Sequence, residues 1–220
     1  MGGNLYVKHL LNLIPVVEER PIQGEREPTT AFEFIRPPIP EDWERLDHYR
    51  YHVRALRCED FDFIDGHIFY IIGQYRPGPL FPRLRFLSLR PDYLPIESHK
   101  FILQYSPFLT ATLRDLEICA YIPDPPGDAD EWAAFTHTLP LRCPNIQDFS
   151  FIGLPISSSL SFLGHFRYLR RLNFFNGARE ALPELDSFTF DAISQLTYLT
   201  DLTHLALYGA RIAHLSSSVN

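Results

Sequence analysis

The sequence predicts an α/β repeat solenoid, an open arc with parallel strands on its concave face and helices on its convex face. Three observations predict it. A short apolar motif recurs along the chain, its copies are spaced at similar intervals, and the segments between them carry helix signals. Hydrophobic residues make up 45% of the chain and charged residues 21%, a balance that folds around a core.

The motif is apolar-x-x-apolar-x-apolar. It is carried by Val53, Leu56, Cys58; Leu84, Leu87, Leu89; Leu113, Leu116, Ile118; Ile146, Phe149, Phe151; Leu169, Leu172, Phe174; and Leu202, Leu205, Leu207. At this apolar content roughly 9% of positions match by chance, about twenty in all, so spacing has to decide. First anchors at 53, 84, 113, 146, 169 and 202 give steps of 31, 29, 33, 23 and 33. That period sits just above the leucine-rich-repeat range of roughly 20–29 residues. A strand followed by a helical return and another strand in the same direction gives parallel strands, and repetition coils the chain into a leucine-rich-repeat solenoid. Residues 51–220 form this array of about six irregular repeats. No single unit can bury its own stripe, so a charge at Leu87 or Leu116 is expected to unfold the array, whereas one at Ser88 is expected to be tolerated.

Between the anchors, Ile64, Ile68, Ile71, Ile72 and Tyr75 follow helical periodicity up to Pro77. Gly73 and Gly78 around Pro77 read as a turn. Asp128 and Glu131 have capping-box spacing ahead of Trp132, Phe135 and Leu139, with Pro140 as terminator. Pro95 to Tyr105 and Thr189 to Leu199 read as helices, and the shortest step leaves room only for a 3₁₀ segment around Leu160 and Leu163. Residues 1–50 lack anchors. Leu5 to Val17 reads as a helix remnant, the prolines from Pro21 to Pro40 as a linker, and Asp42, Trp43, Leu46, Tyr49 and Val53 as a short amphipathic helix capping the array.

The net charge of −7 argues against nucleic acid as a partner, and Arg167, Arg170 and Arg171 are too short a run to reverse that. Cys58, Cys119 and Cys143 are too few and too scattered for a disulfide framework or a zinc site. Asn12 and Pro15 interrupt the N-terminal apolar run, and no segment approaches the ~20 apolar residues of a membrane span. The expectation is a cytoplasmic or nuclear protein with no membrane partner.

Three stretches resemble the large fungal group of F-box proteins with degenerate leucine-rich repeats: Leu5–Val17 (LYVKHLLNLIPVV), Phe32–Leu56 (FEFIRPPIPEDWERLDHYRYHVRAL) and Gly78–Leu89 (GPLFPRLRFLSL). In that family an F-box docks on a Skp-type adaptor of a cullin ubiquitin ligase while the repeats recruit substrate. The F-box opening is missing here, Leu5–Val17 matching its last helix at most. The resemblance therefore implies a Skp-type adaptor only for a complete parent that carries an F-box. The ending at Ser216, Ser217, Ser218 and Asn220 reads as a cut within a repeat.

The x positions of the motif are the candidate site, because side chains flanking the anchors face the open concave surface. They are Arg57, Phe86, Ser88, Asp115, Glu117, Asp148, Ser150, Arg171, Asn173 and His204, with Ala55 and Ala206 at the ends. Acidic residues gather in the middle and basic or polar ones at both ends, a mixed-charge face for a protein ligand. Asp60, Asp62, Asp65 and His67 read as a helix-capping loop and not a metal site, and Asp124, Asp128, Asp130 and Glu131 as capping carboxylates in a Pro-Gly loop. Nucleophile elbows, phosphate loops and zinc-helix motifs are absent, and Cys58, as an anchor, should be buried and inert. The expected function is non-catalytic protein recognition without cofactor or metal, as the substrate-binding part of an F-box ubiquitin-ligase subunit or, alternatively, as a free-standing repeat scaffold.

Overall fold

A computed structural model describes residues 6–22, 29–58, 67–89, 105–119, 129–152, 161–175 and 199–208. The chain opens with helix α1 (Val7–Leu11) and the antiparallel hairpin β1 (Val17–Ile22) and β2 (Thr29–Phe34). A 3₁₀ turn at Pro40–Trp43 runs into helix α2 (Glu44–Arg50). The expected N-terminal helix therefore stops short, and part of the expected linker is a hairpin. Alternation explains the strands: Phe32 is buried while Glu33 is exposed and pairs with Arg20 at 3.3 Å, a half-buried pattern that a helix count misses.

Six further strands make one parallel sheet in strictly sequential order: β3 (Ala55–Cys58), β4 (Phe86–Leu89), β5 (Asp115–Cys119), β6 (Asp148–Ile152), β7 (Arg171–Phe175) and β8 (His204–Tyr208). Each lies on one expected motif. The chain is thus α/β with a parallel sheet, as its sequence predicts.

Register is fixed by the motif. Leu56, Leu87, Leu116, Phe149 and Leu172 stand side by side in the pairing and are all buried, as are Cys58, Leu89, Ile118, Phe151 and Phe174 two residues on. A slip of one residue would turn both rows to the opposite face, so the apolar rows hold the register. Just ahead of the strands, the carbonyl of Arg54 accepts N–H bonds from both Arg85 and Phe86, at 2.8 and 3.1 Å. The carbonyls of Arg85, Arg114, Gln147 and Arg170 do the same for the next strand, at 2.7–3.0 Å.

The apolar rows face a layer of short helices. Helix α3 (His67–Tyr75) contributes Phe69, which meets Phe108 of the 3₁₀ turn Ser106–Phe108 edge-on with ring centres 4.9 Å apart. Phe149 of β6 reaches Phe162 and Phe166 in and after the 3₁₀ segment Ser161–His165, at 6.1 and 6.3 Å. That segment lies where the shortest step predicts it. Aromatic rings fill the space left where helices are short, the Phe69–Phe108 and Phe149–Phe162 pairs adding edge-to-face attraction to their buried area.

Two helix expectations are corrected. Gly73 lies inside α3 and not in a turn; a Cβ there would come within 3.2 Å of Pro107 Cγ, so glycine permits the close approach. Gly78, at φ +100°, does occupy the turn, in the left-handed region that favours glycine. Pro140 lies within helix α4 (Ala129–Arg142) instead of ending it. Proline removes one N–H from the helix, yet Leu139 and Cys143 are fully buried and the Cys143 N–H reaches the Leu139 carbonyl at 2.8 Å. Packing of the last turn outweighs the lost bond. The proposed cap residue Asp128, most of the helix Pro95–Tyr105 and all but the end of Thr189–Leu199 lie outside the described residues.

The ends of the sheet differ. At β3, Tyr6 forms a parallel bridge with Arg57, and Val7, Leu10, Leu11 and Ile14 join the core, so the first strand is covered. Trp43 and Leu46 are buried beside them. Asp42 ties this cap: its carboxylate accepts two bonds from the Arg36 guanidinium at 2.7 and 2.8 Å and one from the Ile39 N–H at 2.8 Å, which hold its pKa below the usual range. At β8, Leu205 is 44% exposed although it stands in the apolar row.

This asymmetry makes a prediction. Leu116→Ala should lower the unfolding free energy by ~2–5 kcal/mol, whereas Leu205→Ala should cost less than ~1 kcal/mol, both read by urea denaturation. Equal losses would contradict the packing described.

Candidate protein-binding face

Pairing of the strands sets the x positions in two rows across the sheet. The first runs Ala55, Phe86, Asp115, Asp148, Arg171, His204, and the second Arg57, Ser88, Glu117, Ser150, Asn173, Ala206. Every sequence-predicted site residue falls in one of them. Burial alternates along β3, β5 and β6, with these residues less buried than the anchors, so this side of the sheet reaches solvent.

At the centre of the first row, Asp148 receives a two-pronged bond from Arg171 across the strand gap, through Nε and through Nη2, the latter at 2.6 Å. Fork-to-carboxylate pairing holds the Asp148 pKa low. Asp115, its neighbour on β5, is pushed up to about 6, first by burial and then by sharing a hydrogen bond with Asp148 and feeling its charge. Adjacent carboxylates at one register position thus shift in opposite directions: Asp148 is held as an anion, while Asp115 keeps its proton only up to about pH 6.

The second row is quieter. Asn173 Nδ2 donates to Ser150 Oγ at 3.0 Å, and the Arg57 guanidinium lies over the Phe86 ring at 5.3 Å, joining the two rows at the β3 end. His204 is exposed at the other end.

Ser88 corrects the sequence reading. It is completely buried, and its Oγ has no hydrogen-bond partner. Register places it between Arg57 and Glu117, with Phe86 two residues back on its own strand, so a short side chain lies beneath longer ones. Ser88 therefore leaves the candidate face, and the expectation that a charge there is tolerated is reversed.

Among the described residues no group of three or more His, Cys, Asp or Glu is gathered for a metal ion. Asp60, Asp62, Asp65, Asp124 and Asp128 lie outside the described residues. None of the three cysteines is in a disulfide; Cys58 and Cys143 are buried, and burial pushes the Cys143 thiol up to about 12. No helix among the described residues is long and apolar enough to cross a membrane.

Sequence reasoning missed a row just ahead of the two above. Arg54, Arg85, Arg114 and Arg170 each follow a first anchor and supply the shared carbonyls of the strand junctions, with Gln147 taking that place before β6. The signal was readable, since arginine stands directly after Val53, Leu84, Leu113 and Leu169.

No protein family, curated protein or solved structure matches the chain.

Two predictions follow from this geometry. Ser88→Ala should leave stability within ~1 kcal/mol of wild type or raise it, while Ser88→Asp should cost ~3 kcal/mol or more by burying an unpaired charge; thermal melts that rank the two the other way would contradict the burial. For Asp115, the folded pKa exceeds its unfolded value, so stability falls as pH rises from about 4 to about 6 and stays reduced above that. Asp115→Asn should therefore stabilise at neutral pH by up to ~1 kcal/mol after solvent screening, with the gain shrinking toward pH ~4. A gain that grows on acidification would reverse the assignment.

Proposed function

We propose that the chain is a leucine-rich-repeat solenoid, with the strands on its concave face, and that this face recognises a protein. The single observation that carries the reading is the in-register polar double row on a parallel sheet buried on its other side. Doubly wound sheets are covered by helices on both faces and reverse their strand order at a switch point. Here the order is strictly sequential from β3 to β8, and the Asp115, Asp148, Arg171 and His204 side falls short of full burial. Repeated junctions, in which one carbonyl serves two N–H groups of the next strand, also suit units stacked by translation.

Such a surface suits a protein partner. It is broad, carries both signs of charge and offers exposed polar groups at strand spacing, the conditions for complementary docking of a folded ligand. We read this module as cytoplasmic or nuclear, a reading that three cysteines outside any disulfide support.

An F-box ubiquitin-ligase role is a further step, resting on the resemblance of Leu5–Val17, Phe32–Leu56 and Gly78–Leu89 and on a parent that carries the box. Val7, Leu10 and Leu11 are buried in the same core as the sheet, which favours a capping role for this segment and hence the free-standing scaffold.

Affinity capture from cell extract tests the recognition proposal. Glu117→Lys, on the face, should deplete the proteins held by wild type, whereas Glu44→Lys, the same charge change at an exposed site on α2, should retain them. Equal capture by both variants would remove the sheet face from the function.

A further inference from the structure

The arginine row lies on a groove of its own. Arg54, Arg85 and Arg114 line a cavity of about 340 Å³ together with Thr112, Asn145 and Tyr168. The backbone positions the three arginines, because each supplies the carbonyl that two N–H groups of the next strand share. Their Cα atoms are therefore held roughly one strand spacing apart, about 4.8 Å.

The arginine side chains are exposed. Among the described residues no carboxylate pairs with any of the three; Arg54 instead donates to the Arg83 carbonyl at 3.4 Å. Thr112 and Asn145 are engaged in tying neighbouring units, Thr112 Oγ1 donating to the Leu84 carbonyl and Asn145 Nδ2 to the Ala111 carbonyl, both at 2.8 Å. The groove floor is thus fixed while three guanidinium groups stand over it with no salt bridge among the described residues, the carboxylate of Asp115 acting on Arg114 only at longer range. Tyr168, 51% exposed, adds an aromatic face beside them.

Three aligned cations in a chain of net charge −7 form a local field opposite to that of the whole molecule. Bringing like charges together costs energy that an anion relieves, and each guanidinium fork matches a carboxylate. A ligand with several carboxylates at short intervals can engage the row, because side chains on one side of an extended peptide recur about every 7 Å and arginine stems are flexible. Asp115 and Asp148 stand one residue beyond the row, where a wide polyanion such as nucleic acid would meet them. A narrow peptide lying along the row is spared that repulsion.

We infer that this groove binds an acidic peptide segment, with carboxylates held by Arg54, Arg85 and Arg114 and one side chain resting on Tyr168. These residues are separate from the sheet face, so either site can fail alone.

Fluorescence anisotropy tests it with a labelled glutamate-rich decapeptide, its glutamine counterpart, inorganic phosphate and a single-stranded oligonucleotide. The glutamate peptide should bind and the glutamine peptide should not, with affinity falling as salt is raised. Combined Arg85→Gln and Arg114→Gln should weaken Kd at least about tenfold, while Arg45→Gln, an exposed arginine outside the groove, should bind as wild type. A wild-type Kd in the double variant, no binding of the glutamate peptide, or tighter binding of the oligonucleotide or of phosphate would overturn the proposal.

Discussion

Stacking of one strand on the next in fixed register is the constraint on which everything else here depends. Leu56, Leu87, Leu116, Phe149 and Leu172 have no dry surroundings within their own four- or five-residue strands. They become buried because the neighbouring strand presents an apolar side chain at the same register position, and because Phe69, Phe108, Phe162 and Phe166 close the layer from the helical side. Burial of each such side chain contributes about 1.5–3 kcal/mol, comparable with the ordering cost of one or two residues, so stability accumulates only across several strands. Shared carbonyls at the junctions satisfy the backbone where one strand hands over to the next.

The same register that buries one side arranges the other. Apolar anchors at alternate positions oblige the residues between them to form rows, and so Asp115, Asp148 and Arg171 meet although 23 or more residues separate each from the next. Their meeting has consequences that none has alone: the fork of Arg171 fixes Asp148 as an anion, and that anion adds to burial in raising the pH at which Asp115 loses its proton. One residue earlier, the arginines before the strands are aligned by identical logic, so the core pattern writes two surfaces at once.

How much was legible follows from what determined each feature. Strand positions and the rows of the outer face were readable because a period-two apolar motif fixes both, and the 3₁₀ segment Ser161–His165 followed from the short step before Leu169. The paired strands β1 and β2 were hidden by Pro21, which β1 accommodates, and the run of α4 through Pro140 by the burial of Leu139 and Cys143, a tertiary effect. Ser88 was misplaced because alternation says which side a residue faces and not how tall its neighbours stand. The arginine row is not implied by the apolar motif, because its alignment comes from the shared carbonyls at the strand junctions, which apolar periodicity does not encode.

Hydrogen exchange in wild type and Phe149→Ala tests the stacking claim most directly, since Phe149 is fully buried at the middle of the sheet and touches the helical layer. If neighbouring strands complete one another's interior, amides of β5 and β7 should lose protection along with those of β6. Loss confined to β6, with β5 and β7 exchanging as in wild type, would contradict it.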